Sequence, residues 1–459
     1  MKMVYNINDK PKFGKLLIFA FQQLLAIMAA TIAVPAIVGN GMSASAALFG
    51  AGAGTIIYQL FTKFKSPVFL GSSFAFIGSM LAAFAGATSA AMGFLGIIIG
   101  AILAGLVYVV IAIIVKIAGV NWINKLMPPV VIGPTVALIG LSLASAAIKD
   151  TVSYAATDAN GSFIMNTHAW VSLICALVTL LVVTLCSTYG KKMAKLIPFI
   201  IGILAGYAVA AIFTVIGFVT DNTALIVLDL APFQALVQDG FGLSTIFSVP
   251  DFSIVKGFGS IKDINLTYIT TVAVAYVPVA FVVFAEHIAD HKNLSSIIEK
   301  DLLEEPGLSR TLLGDGVGSM VGAIFGGCPN TTYGESVGCV AITRNASVAT
   351  ITCTAIIAIL IAFVSPFVAF LDSIPGCVMG GVCITLYGFI AVSGLKMIQK
   401  VDLEKSSNLF TTSVILITGI GGLALAIGKV TITAIATALI LGIIVNIVLS
   451  RKKGEEAAE

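Results

Sequence analysis

The sequence predicts an all-α polytopic membrane protein with fourteen transmembrane spans in a 7+7 inverted repeat. Three observations predict this fold: an apolar composition, fourteen apolar runs whose flanking loops alternate in basic charge, and two matching spans broken by short extended segments. Of the 459 residues, 58% are hydrophobic and 10% are charged, and the mean hydropathy is +1.08. Soluble domains carry about 25% charged residues, so this composition excludes an ordinary soluble enzyme and a disordered chain.

Each predicted span is a run of about 20 mainly apolar residues, the length that crosses a bilayer as a helix. The runs are 15–38, 44–62, 68–86, 91–115, 128–147, 169–187 and 196–218 in the first half, and 267–290, 308–326, 330–345, 347–371, 375–394, 408–427 and 430–449 in the second. With a cytoplasmic N-terminus, 21 of the 25 Lys and Arg residues fall in cytoplasmic segments, as the positive-inside rule requires. We therefore expect a multi-pass protein of the cell membrane with both termini in the cytoplasm.

The two halves must enter the membrane in opposite directions because seven is odd, which is the geometry of an inverted repeat. In both halves the third span opens with a proline, passes through β-favouring residues and reaches a glycine, from Pro67 to Gly71 and from Pro329 to Gly334. We expect a short extended segment followed by a half-helix in each; the alternative is two ordinary helices with a loose entrance. Two facing half-helices would aim free N–H groups at a ligand.

Four acidic residues fall within these apolar spans: Glu286 and Asp290 in span 8, Asp315 in span 9 and Glu335 in span 10. A carboxylate at the membrane centre costs about 2.5–3.5 kcal/mol on insertion scales, so each needs a partner or a function. Glu286 and Asp290 lie one helical turn apart, so their repulsion favours a shared proton, with His291 or Asp315 as a further relay. Alternatively, Glu335 caps a helix start and Asp290 marks a cytoplasmic helix end.

The sequence gives little support to a metal site, an enzyme or a nucleic-acid-binding protein. His287 and His291 have the spacing of a zinc pair, but a third ligand is not evident. The sequence has no HExxH or Walker motif, and its basic residues are scattered at a net charge of +3. The seven cysteines, mostly in apolar runs without CxxC spacing, are typical of small core residues. We expect no catalysis, no metal, no cofactor and no nucleic-acid partner.

Three runs of sequence resemble the nucleobase–ascorbate transporter family, also called nucleobase:cation symporter family 2. They are GSSFAF at 71–76, FAEHI at 284–288 and NTTYGE at 330–335, followed by a match to the family signature at Glu335, Ser336, Gly338, Thr343 and Arg344. The likeness covers nearly the whole chain and is greatest to bacterial members that carry uracil. The chain departs from the family at three places: Ser336 replaces an asparagine, Gln22-Gln23 replaces Gln-His, and Asp290 replaces a histidine of some uracil-carrying members.

The resemblance implies a core domain of spans 1–4 and 8–11 and a gate domain of spans 5–7 and 12–14. The expected segments are a cytoplasmic N-terminus (1–14), the first parts of core (15–118) and gate (119–218), an extracellular or interfacial connection (219–266), the second parts of core (267–371) and gate (372–450), and a cytoplasmic tail (451–459).

The resemblance also implies proton-coupled import of uracil across the cytoplasmic membrane. The implied substrate-binding residues are Glu286 and Glu335, with backbone at Ser73, Phe74, Tyr333 and Gly334. For proton coupling we expect Glu286, Asp290, His291 and Asp315. The expected partners are uracil or a related nucleobase, a proton, the lipid bilayer and a second copy joined through the gate domain. A xanthine or uric acid permease, an anion exchanger and a passive channel on the same fold are alternatives, although acidic Glu286 and Glu335 disfavour an anion site.

Overall fold

The computed structural model of the protein describes residues 3–119, 122, 128–191, 193–238, 240–427 and 430–456. We keep the predicted span numbers for the elements found there. Eight spans contain one long helix: span 1 (Phe13–Val38), span 2 (Ala44–Phe61), span 4 (Ala90–Ala118), span 6 (Thr167–Tyr189), span 7 (Pro198–Val219), span 8 (Leu266–Ile298), span 9 (Leu308–Gly326) and span 12 (Gly376–Ile398). The all-α class predicted from the sequence is confirmed.

Three other spans contain shorter or divided helices, and span 14 contains one further long helix. Span 5 is Pro129–Ser142 and Ala144–Thr151, span 11 is Val348–Ile361 followed by Ser365–Asp372, span 13 is Ser406–Ile420, and span 14 is Ala434–Glu456. A short helix, Met193–Leu196, precedes span 7, and the long connection between the halves holds Ala231–Val237, Leu243–Ile246 and Ser253–Gly257. Within the described residues, eight helical segments are long and apolar enough to cross a membrane, namely those of spans 1, 2, 4, 5, 6, 7, 8 and 12. The protein is therefore a multi-pass membrane protein, while the count of fourteen spans stays a prediction.

Some predicted features lie outside the described residues. They are Lys2, Lys125, Lys192 and Lys429 of the charge pattern, Asp239 of the connection, and residues 457–459 of the tail. One predicted boundary is wrong within the described part, because spans 13 and 14 are not helical where they approach each other. Strand Leu425–Ile427 pairs there with strand Val430–Ile432. Gly422, at a φ of 73°, follows the last turn of span 13 in a conformation that ends a helix.

Spans 3 and 10 are broken as predicted. In span 3, strand Leu70–Ser72 leads into a 3₁₀ turn at Phe74–Phe76 and a helix at Ile77–Ala85. In span 10, strand Asn330–Thr332 leads into a helix at Gly334–Thr343. The two strands pair antiparallel, with Leu70 opposite Thr332, Gly71 opposite Thr331 and Ser72 opposite Asn330. Each extended segment thereby satisfies part of the other's backbone, which a lipid environment cannot do.

Polar side chains of span 2 satisfy more of the extended backbone before the first half-helix. The Thr55 hydroxyl accepts a hydrogen bond from the Leu70 N–H at 2.9 Å. The Gln59 amide donates to the carbonyls of Ser66 and Val68 at 2.9 and 3.2 Å. Because an unpaired buried backbone group costs about 1–3 kcal/mol, these side chains explain why an extended segment is stable here.

Glycines let the strand of span 10 lie close to spans 2 and 9. The Asn330 side chain donates to the carbonyl of Gly50 at 2.8 Å. A Cβ atom on Gly54 would lie 2.5 Å from the Asn330 amide nitrogen, and one on Gly322 would lie 2.4 Å from the same side chain. Asn330 therefore fills a slot that exists because both facing helices lack side chains at this point.

The N-terminal segment is packed against the turn that joins spans 10 and 11. The Val4 N–H donates to the Arg344 carbonyl at 2.8 Å, and the Ala346 N–H donates to the Tyr5 carbonyl at 2.9 Å. Further along, the Val348 N–H donates to the Ile7 carbonyl at 3.0 Å. These bonds tie the start of the chain to the end of the second broken span.

We predict that Gly54→Ala lowers the thermal unfolding midpoint of the purified, detergent-solubilised protein by several degrees. The added methyl group would press on Asn330 and on the Gly318 carbonyl, which lies 2.7 Å away, and overpacking of this kind costs about 1–3 kcal/mol. The matched control is Gly78→Ala in the helix of span 3, where an added Cβ has no atom within 4 Å. Equal midpoints for the two variants would contradict the packing argument.

Candidate functional site

A small cavity of about 60 Å³ lies where the two broken spans meet span 8. We call it the inner cavity; its lining residues are Phe74, Ala75, Val136, Ile139, Glu286, Thr331, Thr332, Tyr333, Gly334, Glu335, Leu386 and Ile390. A second cavity of about 410 Å³, the outer part of the same recess, shares Glu286, Gly334 and Glu335 with it and extends to Lys195. Two carboxylates and the start of one half-helix therefore border both cavities.

The structure brings together most of the residues that the sequence predicted for ligand binding. Phe74, Tyr333 and Gly334 line the inner cavity with Glu286 and Glu335. The Phe74 ring also makes an edge contact with Tyr387 of span 12, at 5.9 Å between ring centroids. This contact joins the first half-helix to the opposite wall of the cavity.

Ser73 differs from the other predicted ligand residues. Its backbone N–H donates to the Pro329 carbonyl at 2.9 Å, which extends the strand pairing by one residue. Its hydroxyl is buried and has no hydrogen-bond partner among the described residues, and Ser73 is not part of either cavity lining. Its expected backbone contact with a ligand stays a prediction, and in this conformation its N–H serves the strand pair.

Tyr333 fixes the site through its side chain and borders the cavity at the entry to its half-helix. Its hydroxyl donates to the Ser72 carbonyl across the strand pair at 2.7 Å. A Cβ on Gly71 would lie 2.4 Å from the Tyr333 ring, so only glycine at 71 lets this ring close over the strand. The tyrosine thus locks the two broken spans together next to Glu335.

Asp290 lies in the outer part of the recess and is held by the second broken span. Its carboxylate accepts a hydrogen bond from the Thr332 hydroxyl at 2.7 Å. Among the described residues, the carboxyl groups of Asp290 and Glu286 are not hydrogen-bonded to each other. The two acids of span 8 therefore face the same recess, and a shared proton between them stays a prediction.

A neighbouring face of span 8 carries two buried histidines that do not line the recess. The His291 Nδ1–H donates to the His287 carbonyl at 2.8 Å, because a carbonyl can only accept. In the neutral ring Nε2 is then an acceptor, and it accepts a hydrogen bond from the Tyr58 hydroxyl at 2.7 Å. Tyr58 in turn accepts from the Ser66 hydroxyl at 2.8 Å. Spans 2 and 8 are joined by this chain of hydrogen bonds.

His287 forms a buried pair with Asp315 of span 9, with 2.6 Å between Nδ1 and the carboxylate oxygen. The Thr311 hydroxyl donates to the Leu308 carbonyl at 3.0 Å, so it accepts from the His287 Nε2–H, also at 3.0 Å. One proton then remains between Nδ1 and Asp315. Whichever of the two atoms holds it, the pair has no net charge. A neutral pair suits this place because both side chains are fully buried.

The acids that line the recess lack such compensation. In the part of the chain that the structure describes, neither Glu286 nor Glu335 forms an ion pair with a basic side chain. Glu335 lies in the first turn of the helix of span 10, where a negative charge is favoured by the helix dipole. Within the same described ranges, no group of three His, Cys, Asp or Glu side chains is placed to hold a metal ion.

Span 1 contacts the second half-helix directly beside Glu335. The Gln23 side-chain amide donates to the Ser336 hydroxyl at 2.6 Å, and both groups are buried. Two of the departures from the family pattern, Gln23 and Ser336, are therefore partners in one hydrogen bond. Neither sequence position alone indicated that they would meet.

Comparison with known proteins assigns the chain to a family. A family model described as a permease family matches residues 14–428. The uracil permease of Bacillus caldolyticus is 40% identical over 452 residues, which cover 98% of this chain and 95% of that protein. The uracil permease of Bacillus subtilis (strain 168) is 38% identical over 461 residues, which cover 99% of this chain and 97% of that protein. The chain belongs to this permease family. The family resemblance inferred from the three sequence runs is confirmed.

The permease shares its fold with a solved transporter of much lower sequence similarity. The transmembrane domain of a cyanobacterial bicarbonate transporter, BicA, superposes with a TM-score of 0.61 at 15% identity, covering 96% of this chain and all of that domain. At this identity the likeness concerns the fold alone. It confirms the predicted inverted-repeat architecture of the permease.

Sequence reasoning missed several residues that hold the site of the permease. His287 was considered only as a metal ligand, and Thr332, Tyr58 and Thr311 were not singled out. His287 had a usable signal, because a histidine in an apolar helix needs a partner just as Asp315 does. The hydroxyl side chains had no such signal, since serines and threonines are common throughout apolar spans.

We predict that Asp315→Ala destabilises the permease by about 3–5 kcal/mol, because it leaves a buried imidazole without its partner. The double variant His287→Leu/Asp315→Leu should be less destabilised than the single alanine variant, since it removes both polar groups together. Thermal unfolding of the purified proteins in one detergent measures the difference. A double variant that unfolds at a lower temperature than Asp315→Ala would refute the neutral-pair assignment.

Proposed function

We propose that the permease imports uracil across the cytoplasmic membrane together with protons. The observation that carries the proposal is the convergence of Glu286, Glu335 and the start of one half-helix on the inner cavity. The two Bacillus relatives named as uracil permeases support the choice of cargo. The protein would act as a carrier and not as an enzyme.

The chemistry of the inner cavity matches a planar pyrimidine. Uracil has two N–H donors and two carbonyl acceptors. Carboxylates at Glu286 and Glu335 can accept from the donors, while backbone N–H groups at Tyr333, Gly334 and the Phe74 turn can donate to the carbonyls. Apolar walls from Val136, Leu386 and Ile390 cover the ring faces. A site of this kind rejects analogues that lack one polar group, because a buried partner is then left unpaired.

Proton coupling is proposed for the acids of span 8. Uracil is neutral, so the membrane potential acts on it only through a co-transported charge. Glu286 and Asp290 border the recess without a basic partner among the described residues, so a proton taken from the recess would neutralise buried charge there. His291 and Asp315 act from behind span 8, where their hydrogen bonds to Tyr58 and His287 fix the orientation of the helix.

The recess is proposed to open toward the cytoplasm in this conformation. Beyond Asp290 it adjoins a vestibule of about 660 Å³ lined by Lys292, Lys396 and Lys400. The positive-inside rule assigns these lysines to the cytoplasmic side, which makes the conformation inward-open. On the same basis we propose cytoplasmic termini, the core and gate segments given above, alternating access between these two domains, and a homodimer through the gate domain.

Other cargoes on this fold make different demands on the site. A xanthine or uric acid permease would share the architecture, and an anion exchanger is suggested by the fold that the permease shares with a bicarbonate transporter. Carboxylates at Glu286 and Glu335 disfavour an anion because like charges repel. Competition of labelled uracil uptake by a panel of nucleobases, bicarbonate and sulfate in proteoliposomes separates these cargoes. Stronger competition by xanthine, uric acid or bicarbonate than by unlabelled uracil would overturn the proposal.

We predict that Glu286→Gln abolishes saturable uracil binding, because an amide cannot replace both lone-pair positions that face the ring donors. The variant should still insert and purify like the wild type. Glu304→Gln, a change to an exposed acid between spans 8 and 9, is the matched control and should bind normally. Equilibrium binding of radiolabelled uracil to the purified proteins is the measurement, and normal affinity of Glu286→Gln would remove Glu286 from the site.

We expect uracil uptake into proteoliposomes to rise at least several-fold with an inward proton gradient. The reason is that a neutral cargo accumulates only when a proton enters with it. A protonophore should abolish accumulation while leaving uracil exchange intact. Uptake that does not depend on the proton gradient, or that depends on a sodium gradient instead, would show that the symport assignment is wrong.

We predict that Asp290→Asn retains uracil binding within about threefold but weakens proton-driven accumulation by tenfold or more. The amide can keep the bond to Thr332 but cannot take up a proton. Thr332→Val should have a smaller effect, since it removes the bond and keeps the acid. Asp301→Asn, on an exposed turn after span 8, is the control. If Asp290→Asn accumulates uracil like the wild type, Asp290 only supports the helix.

A further inference from the structure

Two cysteines of the predicted gate domain contact each other far from the recess. Cys175 lies in the middle of span 6, and Cys377 lies in the first turn of span 12. Both are almost completely buried, with exposed fractions of 0% and 1%. The two thiols lie close enough to interact with each other. None of the seven cysteines is in a disulfide.

The backbones of spans 6 and 12 approach closely at this point. A Cβ on Gly381, one turn after Cys377, would lie 2.4 Å from the carbonyl oxygen of Ala176, the neighbour of Cys175. A disulfide needs Cα atoms within about 7 Å, with side chains that point toward each other. The thiol contact and the glycine-mediated approach bring this pair into the range where a bond can form with little movement of the helices.

Cys377 is also within reach of a small solute. It lines a polar cavity of about 200 Å³ together with Ser153, Tyr154, Asp229 and Ser373. Tyr154 and Asp229 lie in the connections that follow spans 5 and 7, on the side of the membrane opposite to the lysine-lined vestibule.

We propose that Cys175 and Cys377 form an intramolecular disulfide bond when hydrogen peroxide enters this cavity from the outer side. The Cys377 thiolate attacks one peroxide oxygen, the O–O bond breaks, and hydroxide leaves as water after taking a proton. Cys377 is then a sulfenic acid. The Cys175 sulfur attacks it, the S–O bond breaks and a second water leaves. Two thiols are oxidised by two electrons in total, and one peroxide is reduced to two waters.

The bond would tie the start of span 12 to span 6. Span 12 also carries Leu386 and Ile390, which line the inner cavity, and Tyr387, which contacts Phe74. In the oxidised permease, the first turn of span 12 could not move relative to span 6. The wall of the inner cavity that span 12 supplies would therefore be held in place at its outer end. This site is independent of the identity of the cargo and of the proton-coupling residues.

The test is peptide mapping of the purified full-length protein after treatment with hydrogen peroxide and alkylation of the remaining thiols. The expected result is a peptide pair joined through Cys175 and Cys377 that has lost two hydrogens and separates on reduction with dithiothreitol. Cys175→Ser and Cys377→Ser should each abolish the pair. Cys383→Ser, a change on the same span with no thiol contact, should retain it.

Two results would overturn the proposal. One is recovery of both cysteines as alkylated thiols after peroxide treatment that oxidises surface methionines of the same sample. The other is Cys377 recovered as a sulfinic acid beside alkylated Cys175, because a partner in reach would have resolved the sulfenic acid first.

Discussion

The antiparallel pairing of Leu70–Ser72 with Asn330–Thr332 is the constraint on which the site depends. Extended backbone inside a membrane protein must find partners within the protein, because lipid offers none. Here each broken span supplies partners to the other, and Thr55, Gln59 and Tyr333 satisfy further groups at the edges of the pair. The pairing fixes the distance between the two half-helices. The positions of the two half-helices at the inner cavity therefore depend on these three pairs of residues.

Span 8 then divides the polar chemistry of the permease into two environments. Its cavity face presents Glu286 and Asp290 to the recess, where neither acid has a basic partner among the described residues. Its other face buries His287 and His291 in a network with Asp315 and Tyr58 that balances its own charge. Only the first set borders the recess. The second set anchors the helix so that the first stays in register with the broken spans.

The fold and the site chemistry of the permease have separate physical origins. The fold depends on close backbone packing, in which glycines such as Gly54 and Gly322 leave room for the Asn330 side chain. The chemistry depends on the few side chains that border the inner cavity, above all Glu286 and Glu335. Because the fold and the site depend on different residues, the fold alone does not determine the ligand.

The sequence by itself determined the membrane class, the inverted repeat, the two broken spans and the acids that face the recess. These follow from local rules: apolar runs, basic loops, Pro and Gly punctuation, and the cost of a carboxylate in lipid. Only the tertiary structure decided that Asp290 bonds Thr332, that His287 pairs with Asp315, that Gln23 meets Ser336 and that Cys175 touches Cys377. Each of these partners lies in a different span. Helix rotation and crossing are set by packing over the whole bundle, and no local pattern in the sequence encodes them.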